Sequence, residues 1–141
     1  MAIQTEESLL EKAGVRAVQI STPEDLFENY CPLFKDKLRE RFVVFWLSSS
    51  NKVIGFEIVA EGILNGSLVH SRELFRGAIV ATAASIIIAH NHPSENAEPS
   101  TEDIQITRQI VETGKVVGIP VHDHIIFAGG SFTSFAERGL I

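Results

Sequence analysis

The 141-residue chain has one cysteine, Cys31, which rules out an internal disulfide and any zinc framework built on cysteines and fits a reducing, cytoplasmic setting. Between Tyr30 and Pro32 that thiol reads as small buried packing, not as a nucleophile. No long hydrophobic run is present. The longest, residues 78–89, is interrupted by Thr82 and Ser85 and falls short of the roughly 18–20 residues a membrane span needs, so no membrane partner is expected. The start, MAIQTEESLLEK, carries early acids where a secretory signal has a basic and then an apolar region. A basic stripe is also missing. The formal net charge is −6, and the only basic cluster, Lys35, Lys37, Arg39 and Arg41, is interleaved with Asp36 and Glu40. That cluster reads as a solvated helix face, and the charge does not support DNA as a partner.

What is present is ordinary for one globular domain: 45% apolar and 21% charged residues, without internal repeats or low-complexity tracts. Residues 1–40 form a polar, helical lead-in. A short helix is expected at residues 6–12, a second from Pro23 to Tyr30 and a third at 34–39, set off by Pro32. Ser21-Thr22-Pro23-Glu24 supplies a hydroxyl cap, a first-turn proline and early acids for the second of these.

From residue 41 the character changes. FVVFWL at 42–47 reads as a buried strand, and residues 53–60 as its hairpin partner after a turn at 48–52. Asn65-Gly66 marks a turn, residues 68–70 a short strand, and 72–84 a helix. The apolar 85–89 is a strand covered on both faces. A Pro-containing loop at 91–99 leads to a helix at 101–113, with Gly114 placed to end it. Strands at 121–127 and 131–135 flank a Gly129-Gly130 turn. Strands alternating with helices predict an α/β layered domain with a mixed sheet.

The stretch IIIAHNHPSENAEPSTED, residues 86–103, runs from an apolar strand into two histidines. His90 and His92 are two apart, so both imidazoles face one side of the strand end. Asp103, in the first turn of the next helix, can bring its carboxylate back toward them. Two nitrogens and one oxygen make a three-ligand set for Zn²⁺ with a fourth position left for water. Taken alone, Ser100 and Asp103 also read as a capping box, and a lone His-x-His pair is a weak signal. The two in tandem, across a loop holding Pro93 and Pro99, carry more.

His90-Asn91-His92-Pro93 followed by Ser100-Thr101-Glu102-Asp103 resembles the His-x-His-Pro…Ser-x-x-Asp signature of the JAMM (JAB/MPN+) metalloproteases. The phrases LVHSREL at 68–74, IIAHNHPS at 87–94, EPSTEDIQIT at 98–107, HDHIIF at 122–127 and SFAERG at 134–139 are similar to its bacterial RadC-like branch, which carries a DNA-repair label. The resemblance implies a three-layer α/β/α sandwich, the cytidine-deaminase-like JAB/MPN fold, over residues 41–141. It implies zinc held by His90, His92 and Asp103, an oxyanion hydrogen bond from Ser100, and an upstream glutamate as proton carrier. Glu57, mid-strand, is preferred for that part over Glu61 at a strand end.

The expected function is therefore a zinc metallopeptidase acting on a peptide or protein substrate, with a non-catalytic RadC-like module binding DNA or a protein as the alternative. Glu95 stands where that branch usually has glycine, and Ser71 where it has proline. A helix-hairpin-helix module usually precedes this domain, and residues 1–41 show no such pattern. His122 and His124 share a strand face and read as hydrogen-bonded supporters of the site, not a second metal site. His70 could cap a helix or line the cleft. An HNH nuclease spreads its motif over a ββα unit, and a cytidine deaminase needs a Pro-Cys-x-x-Cys, so neither fits.

Overall fold

A computed structural model describes residue 10 and residues 14–36, 38–62 and 69–141. The helix expected at 6–12, apart from Leu10, and the Asn65-Gly66 turn lie outside the described residues. Helix α1 (Pro23–Tyr30) starts on the expected signal: Thr22 Oγ1 accepts from Asp25 N while Asp25 Oδ2 accepts from Thr22 N at 3.0 Å and Ser21 N at 2.8 Å. Among the described residues of the helix expected at 34–39, positions 35, 36, 38 and 39 are not helical. A single 3₁₀ turn, Cys31–Phe34, follows α1, and strand β1 (Glu40–Leu47) begins directly after the short link. The main chain around residue 40 bonds sideways to Asn91 instead of back along a helix.

β1 pairs antiparallel with β2 (Val53–Gly62) on one side and β3 (Ser85–Asn91) on the other. β3 runs parallel to β4 (Val121–Ala128), and β4 pairs antiparallel with β5 (Ser131–Ser134), giving the order β2-β1-β3-β4-β5. The parallel pair is bridged by helix α3 (Thr101–Val117), as a parallel connection requires. Helix α2 (Ser71–Val80) lies between β2 and β3 in the chain.

All seven residues of β3 are buried, because apolar layers cover both faces of the sheet. On one face Leu26, Tyr30, Leu33 and Phe34 pack against Val43, Phe45, Ile87 and Phe127. On the other, Leu74, Phe75 and Ala78 of α2 and Ile106 and Ile110 of α3 pack against Val44, Trp46, Ile86 and Ile88. The domain is thus the expected α/β/α sandwich with a mixed sheet. The expected boundary stood at residues 40/41, and α1 contributes to the same core as the sheet.

Several boundaries differ from expectation. Val69 and His70 are not a strand, and Leu68 is outside the described residues. α2 stops at Val80, and Thr82 turns the chain with φ 53°. Gly114 does not end α3; Gly118 does, in the left-handed region at φ 77°. Gly114 instead gives close approach, since a Cβ there would sit 2.6 Å from the Ile119 carbonyl oxygen. Cys31 is exposed, its thiol 2.7 Å from the Phe27 carbonyl oxygen, and not buried packing. No helix among the described residues is long and apolar enough to cross a membrane.

Candidate metal centre

His90 and His92 sit at and just past the C-terminal end of β3, and Asp103 is in the first turn of α3, so the β3–α3 connection folds the ligands onto one point. His90 Nε2 lies 2.9 Å from His92 Nε2 and 3.2 Å from Asp103 Oδ1, and His92 Nε2 lies 3.1 Å from Asp103 Oδ2. Donors about 2.0–2.1 Å from a tetrahedral zinc stand about 3.3 Å apart, so the spacing fits such a cation. These three residues form a group able to hold a metal ion.

The hydrogen-bond network decides what these atoms present. Thr107 Oγ1 donates its one proton to the Asp103 carbonyl oxygen at 2.7 Å, so at 2.6 Å it accepts from His124 Nδ1. His124 Nε2 is then a bare lone pair and accepts from His90 Nδ1 at 2.7 Å. Burial pushes the His124 pKa well below the usual histidine value, which keeps that ring neutral. His90 Nε2 is left without a proton. In His92, Nδ1 donates to the Asn96 carbonyl oxygen at 2.7 Å, which strips its Nε2 likewise. Two lone pairs and a carboxylate therefore meet with no proton of their own among them. Such a set needs a cation, or one shared proton, at its centre. The residues fit a bound metal.

In the absence of a cation the pKa of His92 is raised, chiefly because Asp103 accepts from it, which favours a proton on that ring. Burial works against the charge of Asp103, but its interactions with the His90 and His92 rings and the Ser100 N–H outweigh it and hold the carboxyl well below its usual range. Asp103 also completes the capping box: Ser100 N donates to Oδ2 at 2.8 Å, and Asp103 N donates to Ser100 Oγ at 3.0 Å. The cap and the candidate ligand are the same carboxylate. Phe42 stacks on His90 at 5.7 Å between ring centroids, 9° from parallel, and closes the inner wall.

The centre opens into a cleft of about 560 Å³. Apolar Phe42, Val69, Pro93 and Ile106 line it beside Ser94, Ser100 and the acids Glu40 and Glu102. Ser100 Oγ accepts from Asp103 N, which leaves its own hydroxyl proton to donate into the cleft.

Glu57 is not in this cleft. It lies opposite Val44 on the edge strand β2 and packs under α2, where a Cβ on Gly77 would sit 2.6 Å from its Oε1. Burial raises its pKa, opposed by Arg76 and reinforced by Glu73, with no contribution from the histidines. Glu61 is held by Arg39 and Arg41 at 3.8 and 3.6 Å, which also ties up two members of the basic cluster. The acid that the structure brings to the site is Glu40, missed in the sequence because it was grouped with that charged cluster. Its pKa is raised chiefly by burial; His90 and His92 lower it and Asp103 raises it, so it shares the electrostatic environment of the three ligands. Strand alternation outward from Phe42 and Val44 was the signal that could have found it.

His124 supports the site as described, whereas His122 is exposed. His70 caps α2 with its backbone only and does not line the cleft. Glu95 adopts φ 65°, so the left-handed backbone is kept with glutamate in place. Ser71 opens α2 with a buried Oγ that has no partner among the described residues.

The sandwich and its His-x-His…Asp centre are consistent with a JAB domain, and the RadC-like JAB domain model matches residues 20–140. The chain belongs to this family. It is 50% identical over 124 residues to a UPF0758 protein of Salinibacter ruber (88% of this chain, 53% of that one) and 46% identical over 129 residues to UPF0758 protein STH371 of Symbiobacterium thermophilum (92% and 55%). UPF0758 protein GSU0386 of Geobacter sulfurreducens is 40% identical over 131 residues (93% and 57%). The chain spans about half the length of the curated relatives it matches.

Proposed function

We propose that this domain is a zinc-dependent metallopeptidase that hydrolyses peptide or isopeptide bonds, with Glu40 in place of Glu57 as its proton carrier. One observation carries the reading: two imidazole Nε2 atoms and a carboxylate converge within 3.2 Å in a cleft that also presents Glu40 and Ser100. Two imidazoles and a carboxylate suit zinc. When bound, zinc supplies Lewis acidity and lowers the pKa of its water to about 7. Glu40, made more basic by its partly buried site, takes a proton from the attacking water and returns it to the leaving amine. Ser100 donates to the oxygen that gains charge on the scissile carbonyl. Phe42, Val69 and Ile106 seat an apolar side chain beside the scissile bond and exclude bulk water.

The test combines metal analysis with turnover. Purified wild-type protein should carry about one zinc per chain and cleave members of a fluorogenic peptide library, with cleavage lost on chelation and restored by zinc. Glu40→Gln should keep the metal and lose cleavage. Retention of iron or manganese in preference to zinc, or full turnover in Glu40→Gln, would overturn the assignment.

A further inference from the structure

The middle residue of His-Asn-His does its own work. The β1–β3 ladder ends at the pair Phe42↔His90, and His92 N has already turned to donate to the Phe127 carbonyl oxygen on β4 at 2.8 Å. Beyond that point the side chain of Asn91 carries the pairing. Its Oδ1 accepts from Arg41 N at 2.8 Å, and its Nδ2 donates to the Arg39 carbonyl oxygen at 2.9 Å. Both atoms belong to the main chain on either side of Glu40.

Asn91 is itself 5% exposed, so these bonds form away from competing water. The Arg41 side chain fixes the same segment from its other end, donating from Nη1 to the Leu33 carbonyl oxygen at 3.0 Å.

We infer that Asn91 is a positioning residue that clamps the backbone around Glu40 and so holds that carboxylate over the ligands contributed by its own neighbours, His90 and His92. The inference rests on the proposed role of Glu40. One tripeptide then aligns both halves of the chemistry: its histidines hold the metal, and its asparagine locks the strand end that carries the base. The side chain suits the task because a carboxamide offers one acceptor and one donor at fixed separation, which aspartate and leucine do not.

The test uses Asn91→Leu, of the same branched shape without the polar atoms, and Asn91→Ser, which breaks both bonds without adding bulk. Each variant should retain about one zinc and lose amide-exchange protection at Arg41 N, while Ile88 and Ala89 keep theirs. In the peptide assay kcat should fall on the order of 100-fold with KM little changed, as expected for a base displaced by about 1 Å. In a Glu40→Gln background the Asn91 substitutions should have no further effect on residual turnover. Unchanged protection at Arg41, loss of zinc together with activity, or an additive effect in the double variant would overturn the clamp. A wild-type protein that binds zinc without cleaving peptides, yet loses Arg41 protection in Asn91→Leu, would fault the peptidase reading and support the clamp.

Discussion

His90 Nδ1 lies 2.7 Å from His124 Nε2, and Thr107, one step further back, decides which of the two carries the proton. A hydroxyl already spent on a helix carbonyl can only accept, and that choice propagates through two rings to the metal-facing nitrogen. Thr107→Val removes the acceptor while keeping the shape. Zinc affinity should fall about 10–100-fold, as for other groups that orient a ligand, read by competition against a chromophoric chelator. An unchanged affinity would mean that Thr107 does not set the tautomer.

Metal stabilisation should grow with pH. Without a cation, His92 has a raised pKa, so its pairing with Asp103 contributes stability fully present below the usual histidine value of 6.5 and lost as pH rises through the raised value. Asp103 has a lowered pKa, so its contribution is present above 3.8 and lost as pH falls toward the folded value. Zinc needs the deprotonated ring and displaces that proton. The difference in Tm with and without zinc should therefore widen from pH 5 to about pH 8. A difference that is flat or narrows over that range would contradict the ligand role of His92.

Glu40 and Glu57 make opposite predictions. Glu40→Gln should reduce kcat about 10²–10⁴-fold at constant zinc content, whereas Glu57→Gln should leave kcat within a factor of a few. Steady-state kinetics on one cleavable peptide decides between them.

Glu95 holds a left-handed backbone at φ 65°. That conformation costs a side-chain-bearing residue about 1–2 kcal/mol, partly offset in a glycine variant by about 0.5–1 kcal/mol of extra chain entropy. For Glu95→Gly these backbone contributions alone give a gain of about 0–1.5 kcal/mol, and the urea-unfolding free energy should fall below that gain by what the Glu95 side chain contributes through its own contacts. A destabilised variant would show that contacts of the Glu95 side chain outweigh the strain.

Gly114 and Gly118 should fail differently. At Gly114 an added methyl meets the Ile119 carbonyl oxygen at 2.6 Å, an overpacking that costs about 1–3 kcal/mol in spite of alanine's better helix propensity. At Gly118 a Cβ meets nothing within 4 Å, and only the left-handed φ of 77° penalises alanine, by about 1 kcal/mol. Denaturant midpoints of the two alanine variants test the ranking.

Much of this was legible before any fold was known, because local spacing carries it. Period-two alternation put His90 and His92 on one side, the box Ser100…Asp103 opened α3, and the all-apolar run at β3 announced a strand covered twice. The proposed role of Glu40 was not legible in that way. Glu40 sits in a run of alternating charges that reads as a helix face, and only pairing of β1 beside β3, with Phe42 opposite His90, turns it toward the ligands. Glu57, expected as the base, lies on edge strand β2 with its carboxylate beside Gly77 of α2 and outside the residues lining the cleft. Gly114 was read as a helix stop for a similar reason: a glycine needed for close approach and one needed for a left-handed turn are identical in sequence.

The sequence by itself therefore determined the grouping of His90, His92 and Asp103, the N-terminal caps of α1 and α3 and most of the strands and helices, all properties of neighbours along the chain. Tertiary structure alone decided which further carboxylate lines the cleft beside His90, His92 and Asp103, which tautomer His90 presents and what Asn91 holds. Those depend on partners 34 to 52 residues away, brought together by the order β2-β1-β3-β4-β5 and invisible to any local pattern.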